Sequence, residues 1–143
     1  MDTPYNLALL TGAGLSAIAA LVHVWVIKAG ARGYRLCGAG DRFIRAAEAG
    51  KKFPDIATAG IALVLFIWAL YALAGAGIIA PLPLLRPVLC LITFIYLLRG
   101  IAGPLALRNT GRSDRFIVIS SLICLCLGLV HLLGLAQRWN ALA

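Results

Sequence analysis

Four long apolar runs, separated by short polar segments, dominate the chain. They predict membrane spans at about 7–27, 56–74, 83–102 and 116–135. The first is uncharged over about 21 residues, enough at roughly 1.5 Å per residue to cross about 30 Å of hydrocarbon. The pattern predicts an all-α polytopic membrane protein, in which residues 1–143 form a single domain, an antiparallel four-helix transmembrane bundle.

Small residues recur every fourth position in two of these runs. Gly12, Ser16 and Ala20 form such a stripe in the first, and Ser120, Cys124 and Gly128 form one in the fourth. Small side chains let helix backbones approach closely in lipid. The third run is different because Arg86 and Arg99 enclose only twelve uncharged residues. Twelve helical residues cover about 18 Å, so one of these arginines is expected below the interface, where it snorkels or finds a partner.

Composition and charge agree with a membrane location. Hydrophobic residues make up 62% of the chain, against roughly 45–50% in soluble domains. The net charge of +8 does not indicate nucleic-acid binding, because eleven of the thirteen basic residues fall in 28–55 and 99–115. The positive-inside rule predicts that loops 28–55 and 103–115 are cytoplasmic and that both termini are non-cytoplasmic. We expect a multi-pass protein of a bacterial-type inner (plasma) membrane.

The first loop predicts a short interfacial helix. The break at 38–40 lets Asp41 cap a helix that runs to about Lys52. Asp41 with Arg45, and Glu48 with Lys52, are spaced for i,i+4 ion pairs. This helix would lie at the membrane interface, with its apolar side on the membrane, or it would extend the second span into the cytoplasm.

Few residues in the spans carry chemistry. No acidic side chain lies well inside a span, and no nucleotide-binding, serine-hydrolase or zinc-protease motif is present. His23 and His131 are the intramembrane candidates, but they lie at opposite depths, which favours hydrogen-bonded structural roles over shared haem ligation. The four cysteines have no metal-binding spacing, so no metal site is predicted. Cys37 is distinct because the surrounding arginines are expected to lower its thiol pKa.

The predicted cytoplasmic rim offers a candidate ligand site. Its arginines suit phosphate or carboxylate groups by bidentate hydrogen bonding. A rim that serves only as a topological anchor, touching anionic lipid headgroups, remains the simpler alternative. Our candidate contacts for an anionic head are Arg35, Arg42, Arg45, Tyr96 and Arg99.

Several short motifs carry a family resemblance, namely Ala31-Arg32 with Tyr34-Arg35, Arg45-Ala46 with Phe53-Pro54, and Tyr96-Leu-Leu-Arg-Gly100. Together with four spans and basic loops, they resemble the MAPEG family of membrane proteins that handle glutathione or lipids. The resemblance implies a homotrimer that binds its ligand between subunits, with Arg45 and Arg99 as contacts and Tyr96 beside them. Where the family has Asn and Glu after its Arg-Ala pair, this chain has Ala49 and Lys52.

Three functions follow, in order of preference. The first is a non-catalytic, homo-oligomeric membrane protein that binds lipid or another anionic amphipathic ligand at the basic rim, with no cofactor. The second is a MAPEG-like enzyme acting on a glutathione or lipid substrate. The third is a small channel or exporter, whose lining would have to use the few polar residues of the spans.

Overall fold

A computed structural model describes residues 4–142, and every regular element in that range is helical. The six α-helices are α1 (Leu7–Ala29), α2 (Ala31–Leu36), α3 (Asp41–Glu48), α4 (Phe53–Ala76), α5 (Leu85–Ala106) and α6 (Asp114–Arg138), followed by a 3₁₀ turn at Trp139–Leu142. Helices α1, α4, α5 and α6 are long and apolar enough to cross a membrane. The predicted all-helical class with four such helices is therefore confirmed.

Local signals explain where the long helices begin and end. The Asn6 side chain accepts a hydrogen bond from the Leu9 amide at the start of α1, and Ser113 does the same for Phe116 at the start of α6. Helix α4 has Pro54 in its first turn and ends at Gly77, whose φ of 86° suits a residue without a Cβ.

Small residues bring the long helices together. A Cβ on Gly100 would lie 2.7 Å from the Leu125 amide nitrogen, and one on Gly128 would lie 2.7 Å from a Leu97 methyl carbon, so α5 and α6 touch nearly backbone to backbone. Helix α1 packs most extensively on α4 and also contacts α6. In α1 the predicted stripe of Gly12, Ser16 and Ala20 is buried.

The helices present polar groups inward at a few points and apolar side chains outward almost everywhere. Leu9, Leu89 and Ile92 are fully buried at the centre. Large apolar side chains on all four long helices remain exposed, for example Leu21 at 67% and Ile101 at 69%. Such an apolar exterior is stable in hydrocarbon but not in water.

The two ends of the helix assembly differ. We call the first the loop end; it comprises α2, α3 and residues 107–113, and a Cβ on Gly40 would lie 2.8 Å from the Thr110 carbonyl oxygen. We call the other the terminal end; there the Asn6 amide donates to Ala76 over 3.0 Å, and the Asn6 side chain donates to Gln137 over 2.8 Å.

The first loop departs from its predicted form. It contains two short helices, α2 and α3, where one was expected, and Gly50 with φ 67° ends the second before Lys52. Among residues 4–142 the ion pair is Arg35 with Glu48, which joins α2 to α3. Arg45 donates through Nε to the Asp41 backbone carbonyl over 3.4 Å. The predicted i,i+4 ion pairs were therefore wrong, because Glu48 meets a partner from another helix.

Candidate functional site

Aromatic and polar contacts fix the loop end to the start of α4. The buried Tyr34 donates its hydroxyl hydrogen to Asp55 Oδ1 over 2.9 Å and lies 3.2 Å from the Thr58 hydroxyl. Tyr34 contacts Phe43 with ring centroids 6.1 Å apart, and Phe43 contacts Phe53 at 5.2 Å. These contacts hold α2 and α3 against α4 and so position the side chains of α3.

A pocket of about 460 Å³ lies between α3 and the first residue of α4. We call it the loop-end pocket; it is lined by Arg42, Arg45, Ala46, Ala49, Lys51 and Phe53. The Arg42 guanidinium lies 5.4 Å from the centre of the Phe53 ring, a cation–π contact. Three cations and no acidic residue line this pocket, so its chemistry suits an anion with an apolar neighbour.

Two of the predicted ligand contacts, Arg42 and Arg45, therefore share one pocket. Arg35 is outside it, on the exposed face of α2, where it is paired with Glu48. Lys51 and Phe53 belong to the pocket although they were not among the predicted site residues. The sequence carried a signal for this connection, since Lys51 and Phe53 lie between the Gly50 break and Pro54, where one helix ends and the next begins.

Arg99 lies elsewhere, between α5 and α6. Its Nη1 donates to the Ser121 hydroxyl over 3.1 Å and its Nη2 donates to the Ser120 hydroxyl over 3.0 Å. Gly103 leaves room for this guanidinium, because a Cβ there would overlap Nη1. The side chain is half-buried seven residues before the end of α5, or about 10 Å along the helix.

Tyr96 points into the centre of the helices rather than toward Arg99. It is 3% exposed, and its hydroxyl lies 2.9 Å from the Ser16 hydroxyl of α1. The Trp68 ring meets Tyr96 edge-on with centroids 5.0 Å apart. The five predicted ligand contacts are thus distributed over distinct places: the loop-end pocket, the exposed ion pair, the α5–α6 contact and the core.

The two histidines are far apart. His131 is fully buried, its Nδ1 lies 2.8 Å from the Leu127 carbonyl oxygen, and its ring faces Tyr96 at 5.3 Å. Gly12 of α1 packs against the same imidazole, whereas His23, eleven residues further along α1, bonds the Ala19 carbonyl over 2.7 Å. Eleven residues correspond to about 16 Å of helix, so the imidazoles do not share a site.

The cysteines and the potential metal ligands show no reactive arrangement among the described residues. Burial raises the pKa of the Cys37 thiol, so the expectation that its neighbouring arginines lower it was wrong. The cysteines at 37, 90, 124 and 126 are free thiols. Within the described part of the chain, no cluster of three or more His, Cys, Asp or Glu side chains has the proximity a metal ion needs.

Comparisons with protein-family models, with curated protein sequences and with solved structures give no match to this chain. The residues themselves therefore carry the functional argument. They indicate a multi-pass membrane protein with a cationic pocket at its loop end, which Phe53 also lines.

Proposed function

We propose that this protein is an integral membrane protein that binds the anionic head of a lipid or another amphipathic ligand in the loop-end pocket. The observation that carries the proposal is the set of three cations, Arg42, Arg45 and Lys51, that line one pocket with Phe53 and without an acidic side chain. Guanidinium groups bind phosphate and carboxylate oxygens, and an aromatic ring accepts the adjoining apolar carbons.

The proposal includes a topology. The four long helices form an antiparallel bundle with the loop end in the cytoplasm and both termini outside, in a bacterial-type inner membrane. The charge distribution supports this orientation: eleven basic residues lie in or beside the two loops of that end, against Arg86 and Arg138 at the other. A cytoplasmic pocket would then face anionic headgroups of the inner leaflet.

Self-association is a further part of the proposal. Gly14 of α1 and Gly60 of α4 are exposed, with no atom of another helix within 4 Å of the Cβ positions. Exposed glycines on membrane helices permit close approach of another helix. A second copy of the chain is the occupant we propose, which makes a homo-oligomer the expected functional form.

Phospholipid binding in detergent solution tests the pocket. Native mass spectrometry of the delipidated protein measures binding of phosphatidylglycerol, phosphatidylcholine and glutathione, and it reports the oligomeric number in the same spectra. We expect Arg42→Gln and Arg45→Gln each to weaken phosphatidylglycerol binding about tenfold, the loss of one charge-assisted hydrogen bond. Arg108→Gln is the matched control, because Arg108 is exposed at the same end but does not line the pocket. Equal binding by the Arg45→Gln and Arg108→Gln proteins would contradict the proposal.

A MAPEG-like enzyme is the second candidate. Arg45, which that resemblance assigns to the ligand, lines the loop-end pocket, and glutathione carries two carboxylates that match neighbouring arginines. Uptake of glutathione by a trimer, lost in Arg45→Gln and Arg99→Gln, would favour the enzyme over the lipid-binding protein. A channel has less support, because the buried Ser16, Tyr96 and His131 are engaged with one another or with backbone carbonyls.

A further inference from the structure

A second and larger pocket lies at the terminal end, opposite the loop-end pocket. Its volume is about 720 Å³. We call it the terminal pocket; most of its wall is apolar, formed by Ala74, Gly77, Ile79, Pro81, Leu82, Leu84, Leu85, Pro87, Ala141 and Leu142. Arg86 and Arg138 complete the lining and are the two basic residues of this end. The pocket is therefore apolar with two cations in its wall.

The two arginines are held in place, and within residues 4–142 neither has an acidic partner. The Arg86 guanidinium lies 4.9 Å from the centre of the Trp139 ring. Arg138 extends past the end of α4, where its Nη2 lies 3.7 Å from the position of a Cβ on Gly77. The ion pair formed within residues 4–142 is at the loop end and involves neither of them. In both arginines the Nε atom is buried and no protein acceptor in the described chain reaches it.

Two guanidinium groups beside an apolar wall favour an anion in the pocket, because guanidinium binds phosphate and carboxylate oxygens by charge-assisted hydrogen bonds. The first turn of α5 reinforces this preference. It starts at Leu85, no side chain caps it, and its amides carry the partial positive charge of a helix N-terminus. Both arginines and the start of this helix thus line one cavity.

The cavity wall is part of the folded structure. The Tyr71 hydroxyl donates to the Pro83 carbonyl over 3.1 Å and fixes the α4–α5 connection to α4. Leu84 adopts a left-handed conformation with φ 54° at the turn into α5, where its carbonyl oxygen accepts a hydrogen bond from the Val88 amide over 3.0 Å. On the other side Leu142 is 5% exposed and packs against the core.

We propose that the terminal pocket binds one anionic phospholipid, with its phosphate at Arg86 and Arg138 and the first carbons of its chains along the leucine and proline wall. The position favours a lipid, because the pocket lies at the ends of the apolar helices and beside Trp139, where headgroups and indole rings meet. The walls favour it over a free anion, since a phosphate ion would leave the apolar surface uncovered. Arginine near the end of a membrane helix binds lipid phosphate through its charged head while its methylenes stay in apolar surroundings.

This inference is independent of the loop-end pocket, and the same mass spectra separate the two. Delipidated protein is titrated with phosphatidylglycerol or with phosphatidylcholine. We expect Arg86→Gln combined with Arg138→Gln to remove one tightly bound phosphatidylglycerol per chain and to weaken that event more than tenfold. Arg42→Gln combined with Arg45→Gln leaves this event unchanged. Retention of the full phosphatidylglycerol stoichiometry in a folded Arg86→Gln, Arg138→Gln protein would overturn the inference.

A second measurement uses the native arginines and is independent of how those variants fold. Trp25→Phe with Trp68→Phe leaves Trp139, which is 47% exposed, as the single tryptophan beside the pocket. In detergent micelles, trace brominated phosphatidylglycerol is expected to quench its fluorescence at concentrations at least tenfold below those that brominated phosphatidylcholine requires. Equal quenching by both lipids, or displacement of the brominated lipid by millimolar inorganic phosphate, would overturn a phospholipid site.

Discussion

The hydroxyl groups of Tyr96 and Ser16 lie 2.9 Å apart in the buried centre, where they join α5 to α1. Tyr96 also meets Trp68 of α4 and His131 of α6, so one side chain contacts all three other long helices. This arrangement makes Tyr96 a structural residue of the core.

The Tyr96–Ser16 bond should appear as coupling between the two residues. We expect the effects of Tyr96→Phe and Ser16→Ala on the unfolding free energy to be non-additive by about 0.6 kcal/mol, the mean for interhelical hydrogen bonds in membranes. A double-mutant cycle of unfolding free energies in mixed micelles measures it. Ser16→Ala with Tyr71→Phe is the control, because Tyr71 bonds Pro83 at the terminal end and its effect should simply add. An additive Tyr96–Ser16 pair would mean that the bond contributes nothing.

Gly12 should not tolerate a side chain. A Cβ at this position would lie 2.7 Å from Cε1 of the buried His131, so Gly12→Ala must displace the imidazole or separate α1 from α6. We expect a loss of roughly 1–3 kcal/mol in unfolding free energy, as for other overpacked sites. Gly14→Ala is the matched control two residues away, because nothing lies within 4 Å of its Cβ position. Equal stabilities of the two variants would show that α1 and α6 do not pack as described.

Tyr34 should make stability depend on alkaline pH. Burial raises its pKa, so its phenol stays protonated in the folded chain where an unfolded chain, with a tyrosine pKa of about 10, begins to ionise. The resulting stabilisation is complete below about pH 10 and is lost as pH rises through the folded-state pKa. Unfolding free energies of the native protein and of Tyr34→Phe, measured from pH 8 upward, should therefore converge above about pH 10. Parallel profiles would contradict this assignment.

The contribution of Arg99 to stability should depend on its planar guanidinium group rather than on its charge. Its two Nη atoms reach the adjacent hydroxyls of Ser120 and Ser121, which the single ammonium of a lysine cannot reproduce. We expect Arg99→Lys to lower the unfolding free energy by about 1 kcal/mol. Arg108→Lys, at an exposed position of the loop end, should change it by less than about 0.5 kcal/mol. If the two substitutions have equal effects, the serine contacts do not stabilise the α5–α6 pair.

Much of the helical framework could be predicted because its signals are local. Apolar run length identifies four helices long enough for a membrane, although Arg86 and Arg99 interrupt the third run. The regular spacing of Gly12, Ser16 and Ala20 identifies a packed face of α1. The first loop was harder: the helix from Asp41 was predicted, but α2 was not, because Gly30 and Gly38 mark breaks without specifying what lies between them.

The candidate site could be predicted only in part, because side chains of one helical face can reach different neighbours. Tyr96 and Arg99 are one turn apart on α5, yet Tyr96 bonds α1 whereas Arg99 bonds α6. Periodicity along one helix does not reveal which partner each residue meets. The terminal pocket was missed for the same reason, since Arg86 and Arg138 are distant in sequence and come together only through the packing of α5 and α6.

The most extensive helix contacts join α1 to α4 and α5 to α6. Each pair is contiguous in the gene, the first ending at Ala76 and the second beginning at Leu85. A ribosome therefore completes the α1–α4 pair before any of the second pair is translated. Gly12 and Ser16 of α1 meet His131 and Tyr96 only after the C-terminal half has been made. The eight residues between Ala76 and Leu85 therefore separate two halves of the chain that are synthesised one after the other.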